Sequence, residues 1–478
     1  MPVDDIPFTL ISNQRATGTG DRRMVNVVTE SVKNPLTQEN YYSTIKRPCV
    51  ANFVQPLGGA ATGRGTYAWA KTGKIYSVFG TRLCTSTLGG TVTLASLASS
   101  TGRCWFTETP ETASTQVLIV SDGLDDYFVN SAEVTVQVDE SDDAQFPTPN
   151  LGPVEFFSNY LVHATNAGIV NSDLNNFTAY TAGSTLSAGA IGDALEAIKQ
   201  QRDQIVLFGK ASIEFVFDNG NPTGSPFLPI DQNRLSFGLA TKNSLAWSGD
   251  LALFVGENSA KGDGGRSVWM LQAGKIAEVS DSVINRFLAA EGASISSCTA
   301  WMERVAGQLL YVLNLSSADR TFVYNVNQGM WDGEWEDANG GNKFNGAYAT
   351  SLDGTIYLQD ATNGRLYTLS TTTFQDSGTT ISVTLQTDGR DQGTSSRKTG
   401  LYAELIADTQ ASGTATLSAS DDDFATFSTI GVFDLTQERK RIHRVGSWKG
   451  KRAWRLTHTA NTAFRAKALR VAYQTGAH

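Results

Sequence analysis

The densest cluster of groups able to do acid–base chemistry runs from Ser418 to Phe427, where Asp421, Asp422 and Asp423 stand between small polar residues and two phenylalanines. A second acidic pair is Asp125 and Asp126. Two carboxylates can cleave a glycosidic bond when the fold sets them on either side of it. Neighbouring acids in a turn more often accept backbone N–H bonds, and both clusters read that way. Histidine chemistry has little to draw on, because only His163, His443, His458 and His478 exist. The sequence holds no His-Glu-x-x-His, no Gly-x-Ser-x-Gly and no glycine-rich loop ending in Lys-Ser or Lys-Thr. Cys49, Cys84, Cys104 and Cys298 are widely spaced without a Cys-x-x-Cys, so they read as buried thiols. No catalytic residue, cofactor site or metal site is expected.

One charged segment stands out. From Arg439 onward the chain carries 11 Lys and Arg and no Asp or Glu, whereas the preceding 438 residues carry 27 basic and 47 acidic residues. An acidic body thus bears a basic end, a pattern that signals nucleic acid or a complementary protein surface. The candidate partner or DNA-backbone residues are Arg439, Lys440, Arg441, Arg444, Lys449, Lys451, Arg452 and Arg455. Strand alternation in Trp454-Arg455-Leu456 puts the cation on one face and the apolar pair on the other.

The elements that would carry these groups are strands. A phrase of turn, glycine and alternating apolar residues ending in tyrosine recurs at Gly73–Tyr76, Gly307–Tyr311, Asp353–Tyr357 and Asn363–Tyr367. Asp-Gly and Asn-Gly supply the positive φ angles of a hairpin turn, and β-branched and aromatic residues suit the half-buried pleat that follows. Looser copies extend the pattern over residues 61–372, which predicts a β-propeller of six or seven blades at roughly 40 to 50 residues each. Residues 1–60 lack the phrase and read as an extended arm that packs against a neighbour or closes a ring. Residues 373–478 alternate as an antiparallel β-sandwich with the basic end. The whole is therefore expected to be all-β.

Smaller features follow the same logic. The segment 139–153 is acidic and proline-bearing and reads as an exposed connection between blades. Residues 188–204 are equally compatible with a helix and with strands, whereas Ser280 followed by Val283, Ile284, Phe287, Leu288 and Gly292 predicts a short capped helix. The acidic start, Met1 to Asp5, is unlike a secretory signal, so synthesis and retention in the cytoplasm of a host are expected.

Two resemblances bear on function. Residues 418–427 resemble the Asp-box of sialidase propellers but lack the glycine that usually follows the aspartates. Several blocks together resemble the packaged-DNA stabilisation family of short-tailed bacteriophages, which form the tail hub or nozzle. They are Arg23–Val27; Lys46–Val50, where the family reads Pro-Gly-Leu; Gly63–Gly65 leading into Gly73–Gly80; Val120–Gly123 with Tyr127; Gly168–Leu174; Phe208–Phe215 with Ser225–Phe227; and Arg444–Gly446 with Arg452–Leu456.

The resemblance implies a virion tail protein and no enzyme. It implies a propeller that assembles into a ring, generally of six copies, below the portal and its adaptor, retaining packaged DNA and conducting it at ejection. Implied partners are further copies of the chain, the portal-adaptor protein, tail fibre or spike proteins, a needle or plug, and passing DNA bound without sequence preference. The alternatives are a sialidase-like carbohydrate-active propeller and a propeller scaffold unrelated to a virion.

Overall fold

Two-residue turns built on positive φ angles set the local pattern. Ala306 and Gly307 (φ 50° and 81°) join Thr299–Val305 to Gln308–Leu315, and Asp353 and Gly354 (φ 48° and 77°) join Gly346–Leu352 to Thr355–Asp360. Each turn reverses the chain within one sheet, and side chains then alternate across it. The structure, a computed structural model, describes residues 2–8, 23–33, 40–87, 90–110, 116–187, 193–230, 233–257, 265–338 and 343–476.

Among the described residues seven antiparallel blades form the propeller, spanning 63–96, 105–138, 154–187, 195–229, 238–278, 299–334 and 346–370. Blade 5 shares its innermost position between Gly238–Leu239 and Ala246–Ser248. Neighbouring blades touch all the way round, and Gly346–Leu352 of blade 7 meets Gly63–Trp69 of blade 1. Blade 7 supplies only three strands of its own. Its fourth is Cys49–Val54, which pairs with Leu366–Ser370 and closes the ring.

The segment 139–153 connects blades 2 and 3 as expected, but it is not wholly exposed, because Phe146 packs edge-on to His163 and Tyr180. Of residues 188–204, 188–192 lie outside the described residues and Leu195–Gln201 is a strand. The helix at Ser282–Ala290 is present, but its cap is Asp281, whose carboxylate accepts from Val283 N and Ile284 N at 3.0 Å each.

The division into arm, propeller and sandwich needs correction at both ends. Residues 1–60 are not a separate arm. Val3–Pro7, Val27–Lys33 and Asn40–Lys46 belong to one sandwich sheet with Arg397–Ala407, Lys440–His443, Ser447–Lys449 and Arg465–Thr475. Arg23–Val25 enters the other sheet, between Met330–Glu334 of blade 6 and Val383–Gln386. That sheet continues through Ala453–His458, Thr414–Ser420 and Ser428–Asp434, so blade 6 and the sandwich share one nine-stranded sheet. The physical reason is core completion. Ile6, Phe8, Met24 and Val27 pack with Leu405, Trp448, Trp454, Leu456 and Leu469, and residues 373–478 alone would leave that face open to water. Gly333 permits the join, because a Cβ there would strike the Met24 carbonyl oxygen.

Arg47 locks the three parts together. Its side chain is fully buried and ion-paired with Asp376. It also donates to Asn26 Oδ1 (2.8 Å), Pro48 O (2.9 Å) and Glu336 O (2.8 Å), and lies over the Phe344 ring at 4.9 Å. Asp376 Oδ1 in turn accepts from Val50 N of the closing strand at 2.9 Å. Removing one partner of such a pair leaves the other charge buried, so Arg47→Ala is expected to lower unfolding stability by about 3–5 kcal/mol. Denaturant unfolding checks this, and a loss near zero would show that the lock is dispensable.

Candidate functional site

The innermost strands surround an axial cavity of about 380 Å³, which Tyr67, Arg103, Glu155, Lys199 and Glu303 line with polar groups. Lys199 Nζ meets Glu155 Oε1 at 2.5 Å. Burial still raises the Glu155 carboxyl above the ordinary carboxylate range, and it raises Glu303 too, against a hydrogen bond from Ser351. At the end where the inner strands begin, the bore is spanned by side chains. Arg103, just ahead of blade 2, stacks over Trp105 at 4.1 Å and Tyr348 of blade 7 at 5.0 Å. Its Nη1 reaches across to Leu245 O at 3.2 Å and Lys242 O at 3.5 Å in blade 5. Lys242 answers by donating from Nζ to Leu151 O, between blades 2 and 3. The bore is therefore tied across by two cations from opposite sides. Nothing in the sequence flagged Arg103 or Lys242, because each reads locally as a polar residue in a loop.

Of the eight residues of the basic run, Lys440, Arg441 and Lys449 lie on strands of one sandwich sheet and Arg455 on the other, while Arg439, Arg444, Lys451 and Arg452 lie between strands. Lys440 is buried, with Nζ donating to Gln437 O (2.9 Å) and Thr409 Oγ1 (3.2 Å). Arg441 pairs with Glu404 at 2.7 Å and lies over Tyr402, while the exposed Arg439 sits 3.6 Å from the same glutamate. Arg452 is buried between Trp448 and Trp454 and grips Asp421 through Nε at 2.6 Å and Nη2 at 2.5 Å. Arg455 donates to Gln386 Oε1 at 2.9 and 2.7 Å and covers Phe427, with Trp454 and Leu456 buried on the opposite face. Arg444, Lys449 and Lys451 are exposed.

The Asp-box-like segment lies in the hairpin between Thr414–Ser420 and Ser428–Asp434, in the sandwich and not in a blade. Asp422 accepts from Thr426 N at 3.0 Å and from Ser420 Oγ at 2.7 Å, and hydrogen bonds led by that from Thr426 Oγ1 hold its carboxyl at about 2. With Asp421 taken by Arg452, the cluster fixes a turn. The pair Asp125 and Asp126 is divided as well. Asp125 accepts from Gln137 Nε2 at 2.6 Å, whereas Asp126 is buried between blades 2 and 3 beside His163, 3.3 Å away. His163 Nε2 also lies 2.9 Å from Tyr180 Oη. All four cysteines are buried free thiols. His458 stacks on Phe464 and bonds Thr462, and His443 is exposed. No group of three or more His, Cys, Asp or Glu among the described residues is placed to hold a metal. Among the described residues no helix is long and apolar enough to cross a membrane.

With this geometry established, the family model for the bacteriophage P22 Gp10 β-propeller, the phage stabilisation family, matches residues 30–374. The chain belongs to this family. The matched span runs from within Val27–Lys33 through the closing strand and all seven blades, and the C-terminal strands of the sandwich lie beyond it. The chain is thus a bacteriophage packaged-DNA stabilisation protein of propeller type.

Similar solved structures include the N-terminal domain of Nup159 (10% identity, 73% of this chain and 99% of that one, TM-score 0.41). Virginiamycin B lyase from Staphylococcus aureus gives 10% identity, 72% and 100% coverage and a TM-score of 0.43. The extracellular domain of the two-component system BT4673 from B. thetaiotaomicron gives 13%, 77% and 45%, and 0.44. At these scores the likenesses say nothing about what this chain does. A comparison with curated protein sequences gave no match.

The buried pair between blades 2 and 3 has a consequence in pH. Burial raises the Asp126 carboxyl to about 8 and lowers the His163 imidazole to about 3, so both are neutral in the fold near pH 6. Asp126 contributes full stability below its unfolded value of ~3.9 and loses it as pH rises toward its folded value. His163 contributes fully above its unfolded value of ~6.5 and loses it as pH falls. The two slopes oppose between roughly pH 4 and 6.5, and Asp126 acts alone above that. Urea unfolding of Asp126→Asn is expected to abolish the decline above about pH 6.5 and to uncover a rise below it. An unchanged profile would refute the assignment.

Proposed function

We propose that the chain is a tail subunit of the virion that assembles with its own copies into a ring, of six in the family arrangement, below the portal and its adaptor. In this reading the ring closes the channel behind packaged DNA and conducts the DNA outward at ejection. The observation that carries it is the obstructed bore. Family membership implies a role in retaining DNA, yet Arg103 and Lys242 tie opposite blades across the axis of the propeller. A DNA path then has to run between copies, along the outer faces of several propellers, and a closed ring of rigid blocks supplies one.

Two further features support the reading. The Arg47 lock and the shared nine-stranded sheet join propeller and sandwich into a block suited to ring contacts. The acidic body would keep transiting phosphates from adhering, so DNA contact is non-specific and weak. Fibre or spike proteins, a needle or plug and the adaptor dock on the outer faces, with Arg439, Arg444, Lys449 and Lys451 as the cations available to them. Catalysis has no part in this role: in the sialidase-like segment Asp422 fixes the hairpin turn and Asp421 holds Arg452.

Native mass and electron microscopy of the chain, alone and with its adaptor, test the proposal. A closed ring in either sample is expected; a monomer in both would overturn it. Incubation with chromogenic sialosides is expected to give no turnover. Activity lost on Asp421→Asn or Asp422→Asn would favour the enzyme reading instead.

A further inference from the structure

The tie across the bore contains more donors than acceptors. A guanidinium carries five N–H groups and an ammonium three. Arg103 uses Nη1 on two carbonyls and Lys242 uses one proton on Leu151 O. Among the described residues neither has a carboxylate within ion-pair distance, in contrast to Lys199 below them, which Glu155 neutralises. The carboxylate whose charge Lys242 feels is Glu196, and that group is shared with Lys210 at 3.4 Å. A third donor, Trp105 Nε1, is buried without an acceptor.

The three donors are neighbours. Arg103 lies flat on the Trp105 ring, and Gly152, which follows the acceptor of Lys242, packs so closely that a Cβ there would come within 3.2 Å of Trp105 Nε1. Desolvation lowers the pKa of both cations, and Arg103 depresses Lys242 further by like-charge repulsion. Two half-buried cations without a counter-ion are costly, and a planar guanidinium beside an ammonium and an indole N–H matches the oxygens of a phosphate or carboxylate.

We propose that Arg103, Lys242 and Trp105 Nε1 form a site for a small oxyanion, a phosphate or carboxylate group, at the mouth of the axial cavity. The cavity beneath it, about 380 Å³, has room for the body of a small organic anion. When the anion is bound it offsets the charge of the two cations and tightens the tie between blades 2, 3 and 5. The site sits inside one propeller, so it does not depend on ring assembly.

Titration of the full chain with inorganic phosphate and, separately, with acetate, at ionic strength matched with chloride, tests the site by calorimetry and by thermal unfolding. Saturable binding and a rise in Tm beyond that in chloride are expected with at least one of the two. A response to phosphate alone assigns a phosphate group; a response to acetate alone assigns a carboxylate. Arg103→Gln and Lys242→Gln should each weaken binding by about tenfold or more, the loss expected for one charge-assisted hydrogen bond. Trp105→Phe keeps the ring beneath Arg103 and should weaken binding less, which separates the donor from packing. Should Arg103→Gln fail to fold, Lys242→Gln and Trp105→Phe carry the test. Equal responses to phosphate, acetate and chloride, or full binding retained in Lys242→Gln, would overturn the proposal.

Discussion

A single buried ion pair sits where three parts of the fold meet. Arg47 and Asp376 meet where the arm leaves the sandwich, where blade 7 receives its fourth strand and where the chain passes from propeller to sandwich. A buried charge is tolerated only when its partners are complete, and here backbone carbonyls, an asparagine and an aromatic ring complete them. The same residues fix the register of Cys49–Val54, because Val50 N bonds the aspartate that holds Arg47. Ring closure and attachment of the sandwich are therefore one event. Trp335 reinforces it from blade 6, donating Nε1 to Val27 O at 3.0 Å and packing edge-on to Phe344.

That coupling bears on function through rigidity. A closed propeller tied across its axis, and fused through blade 6 to a second domain, has few hinges along which to open. Such a body transmits load between its faces without changing shape, which is what a member of the phage stabilisation family needs if it stands against packaged DNA. Its polar axial cavity is a local feature within that body, stocked with paired and unpaired charge.

Much of the fold was legible in the sequence wherever the signal was local. Asp353-Gly354 and Gly307 required positive φ, and the structure uses them so, with strands on either side. Alternation in Trp454-Arg455-Leu456 correctly separated core from surface. The arm was misread because pairing between residues hundreds of positions apart leaves no mark on local composition; Arg23-Met24-Val25 looks like a strand whichever sheet it joins. Half of the basic run is occupied within the fold for a related reason. Counting cations does not reveal that Asp421, Glu404 and Gln386 return in space to occupy Arg452, Arg441 and Arg455. Arg103 was invisible because its importance lies in what it reaches across, and that is set by the ring.

The strand that completes blade 7 is synthesised more than 300 residues before its partner. The sandwich has the same property, with Val3–Pro7 waiting for Arg465–Thr475. Pairings this distant in sequence carry a large loop-closure cost and form slowly. Until they form, Cys49–Val54 and Val3–Pro7 present bare backbone edges. Such edges invite the matching strand of another nascent copy in place of their own. Exchange of these strands between copies is thus the characteristic misfolding hazard of this architecture, and it is greatest where many copies are made at once, as virion proteins are.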